Sequence, residues 1–129
     1  MSHPNADLIH TAYDLFGKGD VETLQTLWND DIVWHIGGSS RISGHHEGAA
    51  GIVGMFGELF AGTEGTFRAE LLGAFADDDQ GFSLHKATAQ KGGEEYEFWT
   101  VLGYRFEDGR ISEIWNFSYD QALEEKLLA

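Results

Sequence analysis

The feature that most constrains this chain is a change of period at Thr63-Glu64-Gly65. Before it, apolar residues recur at helical spacing; after it, extended segments alternate with tight acidic or glycine-rich turns. Asp77-Asp78-Asp79, Lys91-Gly92-Gly93 and Glu107-Asp108-Gly109 divide the second half into four strand candidates, over residues 66–75, 81–90, 95–106 and 110–119. The last of these turns is a strong hairpin signal. Consecutive hairpins imply an antiparallel meander with the helices gathered on one face.

In the first half, Leu8, Ile9, Ala12, Tyr13, Leu15 and Phe16 predict an amphipathic helix from Asn5 or Asp7 to Phe16, ended by Gly17 and Gly19. Asp20 is an N-cap for a shorter helix carrying Val21, Leu24, Leu27 and Trp28, which Asn29-Asp30-Asp31 closes and turns. Ile32-Val33-Trp34-His35-Ile36 reads as a strand, and Gly37 to Gly48 as a loop of the length that often serves function. Ile52, Val53, Met55, Phe56, Leu59 and Phe60 mark a third helix. Gly51, Gly54 and Gly57 each weaken it by about 1 kcal/mol relative to alanine, and close packing on the sheet is one way to offset that. Residues 120–129 read as a short closing helix.

At 129 residues, with 42% apolar and 13% aromatic side chains, the chain has room for one domain with a single core, spanning residues 1–129. Its 22 acidic and 8 basic residues give a net charge of −14. That surface repels nucleic acids and anionic membranes and lacks the clustered cations that counterion release requires, so neither is expected as a partner. There are no cysteines, which removes disulfides and thiolate chemistry. No apolar run approaches the roughly 20 residues of a membrane span. Met1 to Asp7 lacks a basic segment followed by an apolar one, and the cytoplasm is the expected location.

Several motifs in order resemble a known family. They are Gly19-Asp20, then Asp30-Asp31-Ile32-Val33-Trp34-His35, then Gly44 and Gly48 before a helix. The second half adds Thr66-Phe67-Arg68, Leu84-His85-Lys86 and the run Asp108-Gly109-Arg110-Ile111-Ser112-Glu113-Ile114-Trp115. Together they look like the SnoaL-like branch of the ketosteroid isomerase superfamily, over nearly the whole chain. The resemblance implies an α+β cone-shaped barrel of the nuclear transport factor 2 type. Three N-terminal helices would pack on a strongly curved, mainly antiparallel sheet around a deep pocket, usually in a homodimer. Family activities include steroid double-bond isomerisation, aldol ring closure of polyketides, epoxide hydrolysis and dehydration, and some members only bind. Fold therefore does not settle function.

The resemblance also suggests site residues. It places His35 at or next to the position of the isomerase base, where imidazole could move a proton near neutral pH. By strand alternation His35 shares a face with Val33, opposite Ile32, Trp34 and Ile36. His85 shares its face with Ser83, Ala87 and Ala89, and the small alanines leave room for a ligand. The Arg and Asp that family epoxide hydrolases carry on this strand are absent. Trp115-Asn116 stands where family cyclases have Trp followed by a catalytic Asp; Asn116 is no base but can orient a carbonyl. A one-residue slip would exchange Asn116 for Trp115 or Phe117 in the pocket. Tyr13 is an approximate counterpart of the isomerase's helix-one tyrosine, and Tyr104 is a possible donor on the third strand of the meander. Phe56 of the third helix and these aromatic residues are the substrate-binding candidates.

Trp34, Trp99 and Trp115 count onto the face opposite His35, as a sheet-to-sheet dimer contact or, with shifted register, as an aromatic wall for a planar ligand. His45-His46-Glu47 has metal-ligand chemistry but no evident fourth ligand, so it reads as a solvated loop with no metal, and no cofactor is expected. The leading expectation is a cofactor-free acid–base enzyme acting on a small hydrophobic molecule with a carbonyl, hydroxyl or epoxide group. His35 would move the proton while His85, Asn116 or a tyrosine polarises the oxygen. The alternatives are a non-catalytic pocket for a hydrophobic metabolite, and a structural dimerisation module.

Overall fold

In the computed structural model, which describes residues 3–129, helix α1 (Pro4–Lys18) begins at a proline whose missing N–H would be unpaired in the first turn anyway. The His3 ring accepts a hydrogen bond from the Asn5 N–H, and Gly19, at φ 73°, ends the helix. Met1 and Ser2, part of the stretch read for a leader, lie outside the described residues. Asp20 caps α2 (Val21–Leu24) by accepting from the Thr23 N–H, and α2 tightens at once into a 3-10 turn, Gln25–Leu27.

Strand β1 (Trp28–Ile36) starts earlier than its local sequence suggests. Asn29-Asp30-Asp31 is extended chain rather than a turn, and Trp28 belongs to the strand rather than to the helix. Trp28 pairs with Ile111 and buries its indole in the core, and that tertiary contact overrides the turn preference of the residues after it. The segment from Gly37 to Gly48 is also corrected. Its second half forms β2 (Gly44–Glu47), which covers the free edge of β1 with His35 opposite His45 and Trp34 opposite His46.

Helix α3 (Gly48–Gly62) follows, then β3 (Arg68–Ala76), β4 (Gln80–Lys91), β5 (Glu94–Glu107), β6 (Arg110–Ser118) and helix α4 (Gln121–Leu127). In α3, an added methyl at Gly51 would touch the backbone of His46, but at Gly54 and Gly57 it would meet nothing. Close packing accounts for the first glycine and not for the other two. The six strands form one sheet in the order β2-β1-β6-β5-β4-β3. Strands β3 to β6 are the expected antiparallel meander, and β1 joins it parallel to β6. The sheet is mainly antiparallel and curls without closing. Its inner face buries Ile32, Ala87, Phe98, Leu102, Tyr104 and Ile114 among residues from α1 and α3. Among the described residues no helix is long and apolar enough to cross a membrane.

Candidate active site

The curled sheet and the helices enclose a cavity of about 100 Å³ with a mostly apolar wall. Cavities on the order of 150 Å³ accommodate benzene, so the space suits at most about one small ring. Of the residues the sequence proposes, Tyr13, Phe56, His85, Tyr104 and Asn116 line it. His35, Trp115 and Phe117 do not.

The polar part of the wall is one connected network. Tyr13 of α1 points its hydroxyl across to β4, 2.5 Å from His85 Nδ1 and 2.9 Å from Ser83 Oγ. Ser83 in turn lies 2.8 Å from the Tyr104 hydroxyl on β5. The register places Ser83 and His85 on the same inward face of β4, where Ala87 and Ala89 are also buried. Burial dominates the electrostatics. It pushes the Tyr13 phenol up to about 12, although hydrogen bonds from Ser83 and Tyr104 oppose it, and holds Tyr104 well above its ordinary value. The same burial pushes His85 down to about 4, so its imidazole is neutral at physiological pH.

A neutral His85 carries one ring proton, so the network can run in two directions, and the hydroxyl count favours one of them. If Tyr104 donates to Ser83, Ser83 to Tyr13, and Tyr13 to His85 Nδ1, every hydroxyl proton has a partner and the one donor of the network left unpaired is the His85 Nε2–H at the cavity wall. The reverse direction strands the Tyr104 proton. In that direction the ring proton of His85 sits on Nε2, for which the described residues supply no hydrogen-bond partner, and it is available to a ligand.

On the far side of the cavity, Asn116 projects inward from β6 and Glu124 from α4. Glu124 is buried, and its Oε2 has no hydrogen-bond partner among the described residues. Burial raises its carboxyl above the usual range; Ser118 and Asn116 nearby oppose the shift, while Glu125 adds to it. Glu124 was not picked out in the sequence, yet its signal is there. It stands three and four residues before Leu127 and Leu128, which places all three on one helix face, and all three are buried. Trp34 also lines the cavity, with its ring 5.7 Å from that of Phe56 and its Nε1 buried without a partner.

His35 is on the other side of the sheet. The alternation on β1 is as read, but Ile32, Trp34 and Ile36 take the inner face, because burying three large apolar side chains outweighs burying Val33 and His35. His35 Nε2 lies 2.5 Å from Glu113 Oε2 and its Nδ1 lies 2.6 Å from His45 Nδ1. Both ring nitrogens are therefore engaged, and neither faces the cavity. The ring stacks on Trp115 at 5.5 Å, and Arg105 lies over the same indole and pairs with Glu113. The tryptophans thus separate. Trp115 and Trp99 share the outer face with His35, and Trp34 is inside. Phe117, 56% exposed, is also outside. Among the described residues no three His, Asp or Glu side chains cluster as metal ligands. His45 faces His35, and His46 Nε2 donates to the Ile42 carbonyl.

Comparison with known proteins places this geometry. The family profile of the SnoaL-like domain matches residues 9–114. Bal32a, from a soil-derived mobile gene cassette, superposes with a TM-score of 0.91 at 31% identity, covering 98% of this chain and 97% of that one. A protein of unknown function with a cystatin-like fold from Xanthomonas campestris gives 0.89 at 28% identity, covering 100% and 99%. IdmH, a proposed polyketide cyclase of Streptomyces antibioticus, gives 0.77 at 22% identity over 97% and 99%, a likeness of fold alone.

Proposed function

The chain belongs to the SnoaL-like family, and from that premise we propose that it is an acid–base enzyme for a small, largely apolar carbonyl compound. The observation that carries this reading is the buried Tyr13–His85 pair with a free Nε2–H at the wall of an apolar cavity. An apolar core would not bury four linked polar side chains there without a use for them. His85, neutral and held in one tautomer by Tyr13, donates from Nε2 to the carbonyl oxygen. It thereby stabilises negative charge that develops on that oxygen. A neutral imidazole donor suits an enolate better than an imidazolium would, because its proton affinity is closer to that of the oxygen it serves. Isomerisation or intramolecular ring closure fits this arrangement better than epoxide hydrolysis, for which the charged pair is lacking.

The test is turnover of small cyclic β,γ-unsaturated ketones, followed as the ultraviolet absorbance of the conjugated product. His85→Ala should lower the rate about 100-fold, the scale of losing one oxyanion donor, while His35→Gln leaves it within about twofold. A His85→Ala protein that still turns over at the wild-type rate would remove His85 from the chemistry.

The second reading is a binding protein without chemistry. It is favoured by the weak basicity of His85, which leaves the Tyr13–Ser83–Tyr104–His85 wall without an ionised base at neutral pH. Ligand binding without proton exchange from the bound ketone in heavy water would support it over catalysis.

The outer face of the sheet supports a homodimer. Phe75, Phe82, Trp99 and Phe117 are exposed on β3 to β6, and Leu84 and Val101 join Trp99 and Phe117 around a shallow groove. A contiguous apolar face of this kind on an otherwise strongly acidic chain is best covered by the same face of a second copy.

A further inference from the structure

We propose that Glu124 and Trp34 form a second polar subsite in the cavity, taking one oxygen of a ligand whose other oxygen meets His85 Nε2. This rests on the reading of the cavity as a carbonyl site and extends it to the class of ligand.

The subsite comes from two elements far apart in sequence, β1 and α4, that both contribute to the cavity wall. Glu124 is only 5% exposed, and its Oε2 is buried with no partner. Trp34 Nε1 is likewise buried and unpaired. An orphaned buried group is unfavourable, and folded proteins rarely leave such groups on a cavity wall; the Ser118 Oγ beside Glu124 is buried and unpaired as well. Nothing in the packing demands them. The neighbours of Glu124 on its helix face, Leu127 and Leu128, are apolar, and a leucine would fill the same place. The indole N–H can only donate, and the carboxyl donates through its O–H when protonated, the form that burial favours. Two donors on the wall of one small cavity suit an acceptor oxygen. Asn116, also on the wall, adds an amide that can serve either role.

The sheet register sets the span. His85 pairs with Thr100, and Thr100 pairs with Ser118, the β6 residue that moderates the Glu124 carboxyl. His85 and Ser118 are therefore two strand steps apart, roughly 10 Å between backbones, and this sets the scale of the gap that inward-reaching side chains shorten. The ligand class that fits is a single-ring compound with a carbonyl at one end and a carbonyl or hydroxyl across the ring.

Isothermal titration of the full chain with 4-hydroxybenzaldehyde and benzaldehyde tests this. The wild type should bind the two-oxygen probe about tenfold more tightly, or ~1.4 kcal/mol. Glu124→Leu should reduce that preference to about twofold or less while leaving benzaldehyde affinity nearly unchanged, and Glu124→Gln should restore most of it. Trp34→Phe, which keeps the ring and removes the N–H, should act in the same direction if Glu124→Leu does not fold. A preference that survives both Glu124→Leu and Trp34→Phe overturns the subsite. So does equal wild-type affinity for the two probes, and in both cases the His85 carbonyl site stands. If neither probe binds, the carbonyl reading falls and the subsite with it.

Discussion

The Tyr13 hydroxyl lies 2.5 Å from His85 Nδ1, joining the first helix to the fourth strand across 72 residues of sequence. The contact serves the fold and the site together, because it closes α1 onto the sheet and holds the imidazole that faces the cavity. Replacing Tyr13 with phenylalanine keeps the ring and removes the hydroxyl, leaving His85 Nδ1 without its partner. The expected loss of stability is about 1–3 kcal/mol, measured by urea denaturation at pH 7. A loss below about 0.5 kcal/mol would mean that water replaces the phenol at no cost.

His85 should make the protein acid-sensitive in a defined window. Its folded pKa falls from the ordinary 6.5 to about 4, so between these values the unfolded chain takes up a proton that the native chain refuses. Stability is fully present above about pH 6.5 and is lost as pH falls towards 4, by about 3 kcal/mol. His85→Gln should flatten that slope in denaturation series taken between pH 4.5 and 7, and an unchanged slope would assign the acid sensitivity elsewhere. Tyr13 gives the opposite limb. Its pKa rises from 10 to about 12, so the unfolded chain ionises first and stability declines as pH climbs between them.

The outer cluster of His35, His45, Glu113 and Arg105 should matter little to stability. His35 and Glu113 are each about a quarter exposed, and pairs of this kind contribute about 1 kcal/mol or less. A double-mutant cycle with His35→Gln and Glu113→Gln should return a coupling of that size, weakened by salt. A coupling above about 3 kcal/mol would mark the pair as functionally buried, for instance beneath a partner.

Dimerisation through the outer face has a direct check. Trp99→Glu puts a carboxylate in the middle of the exposed aromatic face without touching the cavity wall. Sedimentation equilibrium should show a dimer for the wild type and a monomer for the variant, both with the same circular dichroism spectrum. Because each copy carries a charge of −14, added salt should tighten the wild-type dimer. A monomeric wild type at tens of micromolar, or a dimeric variant, would place the interface elsewhere or abolish it.

Much of this molecule could be read from the chain itself, and the limits are physical. Alternation on β4 put Ser83, His85, Ala87 and Ala89 on one face, because side chains in a strand alternate whatever the rest of the fold does. The same rule separated His35 from Trp34, but local geometry does not say which side of the strand meets the helices. On β6, Ile111 and Ile114 are three residues apart and both buried, because the pairing register with β5 shifts between Arg105 and Phe106. No count along the sequence shows that shift, and it decides that Asn116 faces inward and Trp115 outward.

The sequence by itself determined the order of elements apart from β2, the turns of the second half, the Gly19 and Asp20 helix boundaries and the antiparallel meander, since these depend on neighbouring residues and on backbone preferences. Tertiary structure alone decided that β1 runs parallel beside β6, that β2 covers its edge, and which side of β1 is inside. It also decided that Tyr13, Ser83, His85 and Tyr104 share hydrogen bonds while Glu124 Oε2 and Trp34 Nε1 stay unpaired among the described residues. Those outcomes turn on contacts between residues dozens of positions apart, where the burial of large apolar side chains outweighs any local preference.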